Sequence, residues 1–234
     1  MQEIKKLLTP YNVGQTKKRY GSEFDGGYIL SEDLVNTCKR VYSLGVANEF
    51  SIDIQMAEMG KMVYQYDINF CQTPQTPNMK FKQLFIDNNT LKSELIETGG
   101  IDDDSNLLLM DIEGGEYDVI LNSEDLLKNF SQISLELHFI TFEKKVKSLL
   151  EKLNQTHTLI HLHANNVVLS TQHENFIKGK GVVDDIPDLL ELTYIKNDKF
   201  TDKEIMKEKI PTSIDKKNLP NLPEVEISWW LTNN

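Results

Sequence analysis

The sequence predicts an α/β protein, a doubly wound and mostly parallel sheet with helices on both faces. Three observations predict it. Short apolar segments alternate with helix-period segments along most of the 234 residues, the pattern of successive βα units. The run Leu107-Leu108-Leu109-Met110 stops at Asp111-Ile112-Glu113-Gly114-Gly115-Glu116, as a buried parallel strand does when its carboxyl end opens into a crevice. Val41-Tyr42-Ser43-Leu44 stops the same way, at Gly45-Val46-Ala47-Asn48-Glu49. A carboxylate at a strand end costs free energy unless it meets a cation, a metal or hydrogen-bond donors. Two such ends mark a crevice for a small polar ligand.

In chain order, residues 2–8 read as a short amphipathic helix stopped before Pro10. Asp25-Gly26-Gly27, between Phe24 and Tyr28-Ile29-Leu30, is a turn signal. Residues 41–45 form a buried strand, and 49–60 a helix closed by Gly60. The strand at 62–66 ends at Asp67, and a Pro/Thr/Gln loop at 71–78 leads into a strand at 79–86. Strands follow at 106–110, 132–138 and 157–163, with a late one from Leu189 to Ile195. Between 141 and 154, Phe142, Val146, Leu149, Leu150 and Leu153 recur at helical spacing. From 196 to 226 lysines and acids mix, and Pro211, Pro220 and Pro223 interrupt. That stretch reads as a substrate-covering insert, a dimer arm or a loose loop. Val225 to Trp230 reads as an added edge strand, with Trp229 and Trp230 as edge packing or an oligomer contact. The chain is divided as one domain: an N-terminal cap at 1–35, a core at 36–195 and a C-terminal segment with its edge strand at 196–234.

A net charge of −11 argues against broad binding to nucleic acid. No apolar run approaches a membrane span, and the start leads into no signal-peptide core. Cys38 and Cys71 form no metal-type pair. A cytoplasmic protein with free thiols is expected, and a homo-oligomer is left open.

The first strand end carries one glycine, Gly45, where a dinucleotide fingerprint has three. It suits a ligand without phosphates. Asp67, at the next strand end, is placed to take both hydroxyls of a ribose. The plain alternative makes Gly45 a strand-end turn and Asp67 a helix N-cap. Their spacing favours a nucleoside site.

These residues resemble a known family. Tyr42 to Glu49, then Tyr64-Gln65-Tyr66-Asp67, then Met110 to Glu116, are similar to the FkbM-like class of S-adenosyl-L-methionine-dependent methyltransferases. So are Arg19-Tyr20-Gly21 with Asp25-Gly26-Gly27-Tyr28, Glu136-Leu137-His138, and His163-Ala164-Asn165-Asn166. The resemblance covers roughly 19–195. It implies a seven-stranded sheet of the class I methyltransferase type, with the last strand antiparallel. It implies S-adenosyl-L-methionine over Gly45, with Val46, Asn48, Glu49 and Asp111 around it and Asp67 on the ribose. It implies O-methylation, commonly of sugars or polyketide-type hydroxyls; with the polar strand ends, the expected acceptor is a sugar hydroxyl on a nucleotide-linked sugar for a surface glycan such as capsule or lipopolysaccharide. Asp25 and Tyr28 would border the pocket. One departure is Ala47, where the family often carries a second glycine.

A hydroxyl must lose its proton as it attacks, to a positioned base or by contact with a divalent metal. A period of two puts Glu136 with His138, and His161 with His163, on one face of their strands. If those strands are adjacent, Asp111, His138 and His163 converge, a set that suits iron(II), manganese or zinc. The two histidines are expected to be neutral near pH 7 and so available as ligands. Glu136 and His161 are the alternates. Without a metal, His138 becomes the general base. Glu116 is assigned to the dipole of the following helix, and Glu113 is kept with Asp111 and His138 as a catalytic candidate. Asn165 and Asn166 serve either as a turn or as donors to the acceptor. The competing class is a non-catalytic ligand-binding or assembly subunit that keeps the fold without the chemistry.

Overall fold

The computed structural model describes residues 1–232 apart from 75, 124, 139, 141–142, 171–181 and 184. Seven strands form the central sheet: β1 (Arg40–Leu44), β2 (Met62–Asp67), β3 (Met79–Gln83), β4 (Asn106–Met110), β5 (Phe130–His138), β6 (His157–Ala164) and β7 (Leu189–Lys196). Their order is β3-β2-β1-β4-β5-β7-β6. The first five pair in parallel, and β7 runs antiparallel to both β5 and β6. This is the expected architecture of the class I methyltransferase type.

Among the described residues six helices surround the sheet: α1 (Gln2–Leu7), α2 (Glu32–Thr37), α3 (Ser51–Glu58), α4 (Asn88–Glu97), α5 (Glu116–Asn122) and α6 (Glu143–Thr156). Alternation along the strands divides the core. Tyr42, Leu44, Leu108 and Met110 pack with residues of α1, α4, α5 and α6 on one face. Val41, Leu107 and Leu109 pack with Ile52 and Met56 of α3, and with Tyr20 and Leu30, on the other. Helix α6 runs two residues later than its apolar spacing indicates, and Phe142 lies outside the described residues. The sequence reading passed over α2 and α4. Each carries a local start signal: the Ser31 hydroxyl caps α2, and Asp87 with Thr90 makes a capping box on α4.

Strands β5, β7 and β6 differ from the rest. Their second face is polar: Gln132, Ser134, Glu136 and His138, then Glu191 and Thr193, then His161 and His163, and all of these are buried. Glu191 lies opposite both Glu136 and His163 in register. Two chain segments roof this face and supply partners to several of its polar groups. From the N-terminal side, the Ser31 amide donates to Gln132 Oε1 at 2.6 Å, and Thr193 Oγ1 donates to the Ile29 carbonyl at 2.7 Å. From the C-terminal side, Asp215 meets His161 at 2.7 Å, and Asn218 Nδ2 donates to Glu191.

The C-terminal segment is therefore neither a loose loop nor an edge strand. Ile227 bridges Ile210, Trp229–Thr232 is a 3-10 turn, and Trp230 is buried in the main core. Trp229 donates its indole N–H to the Lys5 carbonyl. Cys38 and Cys71 are both buried and unbridged. No helix among the described residues is long and apolar enough to cross a membrane.

Candidate active site

A cavity of about 580 Å³ opens at the carboxyl ends of β1, β2 and β4, where ligands bind in open α/β sheets. Its wall begins at the loop after β1. Gly45 has φ +78°, and its amide donates to the Tyr66 carbonyl at 2.9 Å. A Cβ there would overlap the carbonyl oxygen of Asp111, so the glycine lets the loop cross the end of β4. Ala47 follows with φ +44°. The position where the family often has glycine thus keeps the left-handed backbone without the residue that favours it. The turn at Ala47 carries Asn48 outward. Asn48 is exposed and does not line the cavity, which corrects its assignment to the cofactor, whereas Val46 and Glu49 do line it.

Asp67 does not cap a helix. Its Oδ2 accepts from the amides of Val46 at 3.1 Å and Ala47 at 2.9 Å, and its Oδ1 accepts from Asn69 at 2.7 Å. The carboxylate clamps the β1 loop to the end of β2 and also lines the cavity. Ile68 and Phe85, 61% and 62% exposed, form an apolar lip beside it. Asp25 and Tyr28 line the cavity from the cap.

At the β4 end, the chain turns sharply through Glu113 (φ +53°) and Gly114 (φ +97°). The turn sets Glu113 Oε2 3.3 Å from His138 Nε2, with Asp111 Oδ1 3.8 Å from the same nitrogen. On the other side of the ring, Glu116 Oε1 lies 3.2 Å from His138 Nδ1. Glu116 is completely buried, and the same oxygen accepts from the amides of Ile112 and Gly114. Glu116 therefore supports His138 rather than serving the helix dipole alone. Its position three residues after Glu113 gave no sign that β5 would place a histidine against it.

Electrostatics reverses the expectation of neutral histidines. Burial pushes His138 down, but Glu113, Glu116 and Glu136 outweigh it and lift the ring to about 11. Burial likewise opposes the charge of His163, yet Glu191 and Glu224 lift it to about 10. Burial raises Asp111 to about 7, against the pull of His138 and with the help of Glu113 and Glu116. Burial also raises Glu136 well above the carboxylate range, reinforced by Asp111 and Glu191. The carboxylates around His138 thus favour its charged form.

Three expected site residues lie elsewhere. His163 does not join Asp111 and His138, because β7 is inserted between β5 and β6. Its ring bonds Glu191 at 2.9 Å and Glu224 at 3.3 Å. Asn165 donates to Glu136 and accepts from the Val167 amide. Asn166 accepts from the Leu219 amide and donates to the carbonyls of Leu219, Leu222 and Pro223. Both asparagines are committed to structure, which corrects their assignment to the acceptor. Of the alternates, Glu136 is held by Asn165 and His161 by Asp215.

The family model for the methyltransferase FkbM domain matches residues 38–176, more than half of the chain. The chain belongs to the FkbM methyltransferase family. Every element of the cavity wall from β1 to the Asp111–Glu116 loop lies within the FkbM match, as does His138. Comparison with curated proteins gives no match for this FkbM chain. Two solved structures are similar to it at 14% identity. One is the bluetongue virus VP4 structure, described as a multifunctional RNA-capping production line, with a TM-score of 0.37 over 80% of this chain and 29% of that one. The other is WbdD, with a TM-score of 0.35 over 75% of this chain and 40% of that one. The FkbM chain thus spans well under half the length of either protein.

Proposed function

We propose that this FkbM methyltransferase takes S-adenosyl-L-methionine as its donor and methylates a hydroxyl of a carbohydrate. The observation that carries the proposal is the cavity itself, which runs from the Gly45–Asp67 corner to the Asp111–Glu113–His138 cluster. The lining fits the donor. Asp67 offers a carboxylate at the second strand end for a ribose, and Ile68 and Phe85 offer apolar surface for a base. Asp25, Glu49, Asp53, Asp67, Asp111 and Glu113 line the cavity, and no lysine, arginine or histidine does so among the described residues. Such a wall favours a cationic ligand. When bound, the donor supplies an electrophilic methyl group.

The chain's own contribution is placement and proton handling. Gly45, Asp67 and the β1 loop fix one end of the cavity, and Asp25 and Tyr28 border it from the cap. Asp111 lines the cavity at the far end from Asp67, and its carboxylate is the group assigned here to receive the proton of the acceptor hydroxyl. Holding the reacting atoms in line supplies much of the rate.

The acidic lining that the described residues give the cavity ranks acceptors. An unphosphorylated glycan hydroxyl comes first, and the nucleotide-linked sugar expected from the sequence comes second. Conversion of labelled S-adenosyl-L-methionine to S-adenosylhomocysteine against free sugars, amino sugars and nucleotide sugars tests this, with mass spectrometry to locate the methyl ether. A folded protein that neither binds the donor nor turns over any acceptor would overturn it.

A further inference from the structure

We propose that Asp111, Glu113 and His138 form a divalent-cation site, with Glu116 as the outer residue that orients the histidine. The cation's task rests on the methyltransferase reading above, but its binding does not. One donor atom from each of the three residues lies within 4.8 Å of the other two. His138 Nε2 is 3.3 Å from Glu113 Oε2 and 3.8 Å from Asp111 Oδ1. Adjacent ligands of an octahedral ion bound at about 2.1 Å stand about 3 Å apart, so side-chain adjustments bring all three into range without moving a strand.

The surroundings separate this cluster from a chance group of acids. The donors are two carboxylates and an imidazole, and the other imidazole nitrogen is held by a carboxylate that is completely buried. Glu116 is fixed in turn by the amides of Ile112 and Gly114. A carboxylate behind a histidine, itself hydrogen-bonded, is the usual support of a metal-bound imidazole, and it aims Nε2 at the ion. Asp111 Oδ1 is buried with no hydrogen-bond donor. Asp111 and Glu113 both line the cavity, so the open coordination positions face the acceptor end. A set of two oxygens and one nitrogen suits manganese(II) or iron(II). A hydroxyl bound there is oriented and loses its proton more readily.

Manganese(II) is the probe. The full-length protein is freed of metal by chelator and dialysis, then titrated while electron paramagnetic resonance follows the free ion. One ion per chain is expected, with a pulsed-resonance coupling to a directly bound nitrogen. Glu113→Gln alters a side chain that is 75% exposed, so the fold is spared, and the affinity should fall at least tenfold. His138→Gln should abolish the nitrogen coupling. Glu116→Gln, which keeps all three ligands, should weaken binding about 10- to 100-fold. Absence of saturable binding below millimolar manganese would overturn the site. So would wild-type affinity in both Glu113→Gln and Asp111→Asn. Calorimetry of donor binding on the same samples keeps the two readings apart. Donor bound equally by metal-loaded and metal-free protein leaves the methyltransferase reading standing whatever the manganese data show.

Discussion

Replacing Gly45 by alanine is expected to destabilise the protein by about 3–4 kcal/mol and to weaken donor binding. Two structural terms set that magnitude. At φ +78° an alanine carries a left-handed penalty of about 1–2 kcal/mol. The new methyl would overlap the backbone oxygen of Asp111, which no rotamer change relieves. The ends of β1 and β4 must part. Parting strains the bond from Gly45 N to the Tyr66 carbonyl and the bond from Asp111 N to the Leu44 carbonyl, both 2.9 Å. Each is worth about 1 kcal/mol net. Against a typical total of about 5–15 kcal/mol, the loss is large. It should lower the midpoint by about 6–16 °C, at the roughly 2–4 °C per kcal/mol usual for this size. Scanning calorimetry and urea titration measure it, with donor affinity determined on the same protein. Ala47→Gly is the companion. Its φ of +44° is one that glycine adopts freely, so the substitution should raise the midpoint by a few degrees or leave it unchanged. A Gly45→Ala protein that melts within about 2 °C of wild type and binds donor normally would refute the close-approach argument.

Asp67→Ala strips the amides of Val46, Ala47 and Asn69 of their acceptor and should weaken donor binding by about 1–3 kcal/mol; unchanged affinity in a folded variant would remove Asp67 from the donor site. Asn166→Ala breaks the ties to Leu219, Leu222 and Pro223 and should cost about 2–3 kcal/mol. Limited proteolysis should then cut first within 206–226, and cleavage there no faster than in wild type counts against the anchoring role. Deleting 198–222 removes Asp215 and Asn218 from buried partners and should unfold the chain. A folded, donor-binding deletion would show that the roof is optional. Burial holds His157 down at about 4, against its bond to the Phe130 carbonyl. Because this lies below the unfolded value near 6.5, the stabilisation is complete above about pH 6.5 and is lost as pH falls towards 4. Between pH 7 and pH 5 the wild type should lose about 2 kcal/mol more than His157→Gln in urea titrations. Equal losses would show that the ring is not kept neutral.

What the sequence determined by itself is local. Strand and helix periods, the closing glycine of α3 and the abrupt polar ends of β1 and β4 are written in neighbouring residues, and they were enough for a mostly parallel sheet with Gly45, Asp67 and Asp111 at strand ends. The pairing of Glu136 with His138 on one face follows from the two-residue period alone. What only the tertiary structure decided is non-local. Strand order is not encoded by spacing. The insertion of β7 between β5 and β6 took His163 away from Asp111 and gave it to Glu191. The turn through Glu113 and Gly114 set Glu113, rather than His163, beside His138. The burial of Glu116 behind His138 depends on α5 and β5 meeting, which no local pattern reports. The roof over the polar half-face joins residues nearly two hundred positions apart, such as Asn218 and Asp25. It turned Asn166 from a ligand donor into an anchor, while Glu136 took up Asn165. Charge followed the same rule: a histidine read singly is neutral near pH 7, and, Glu136 apart, the carboxylates that favour the charged forms of His138 and His163 reach them through the fold.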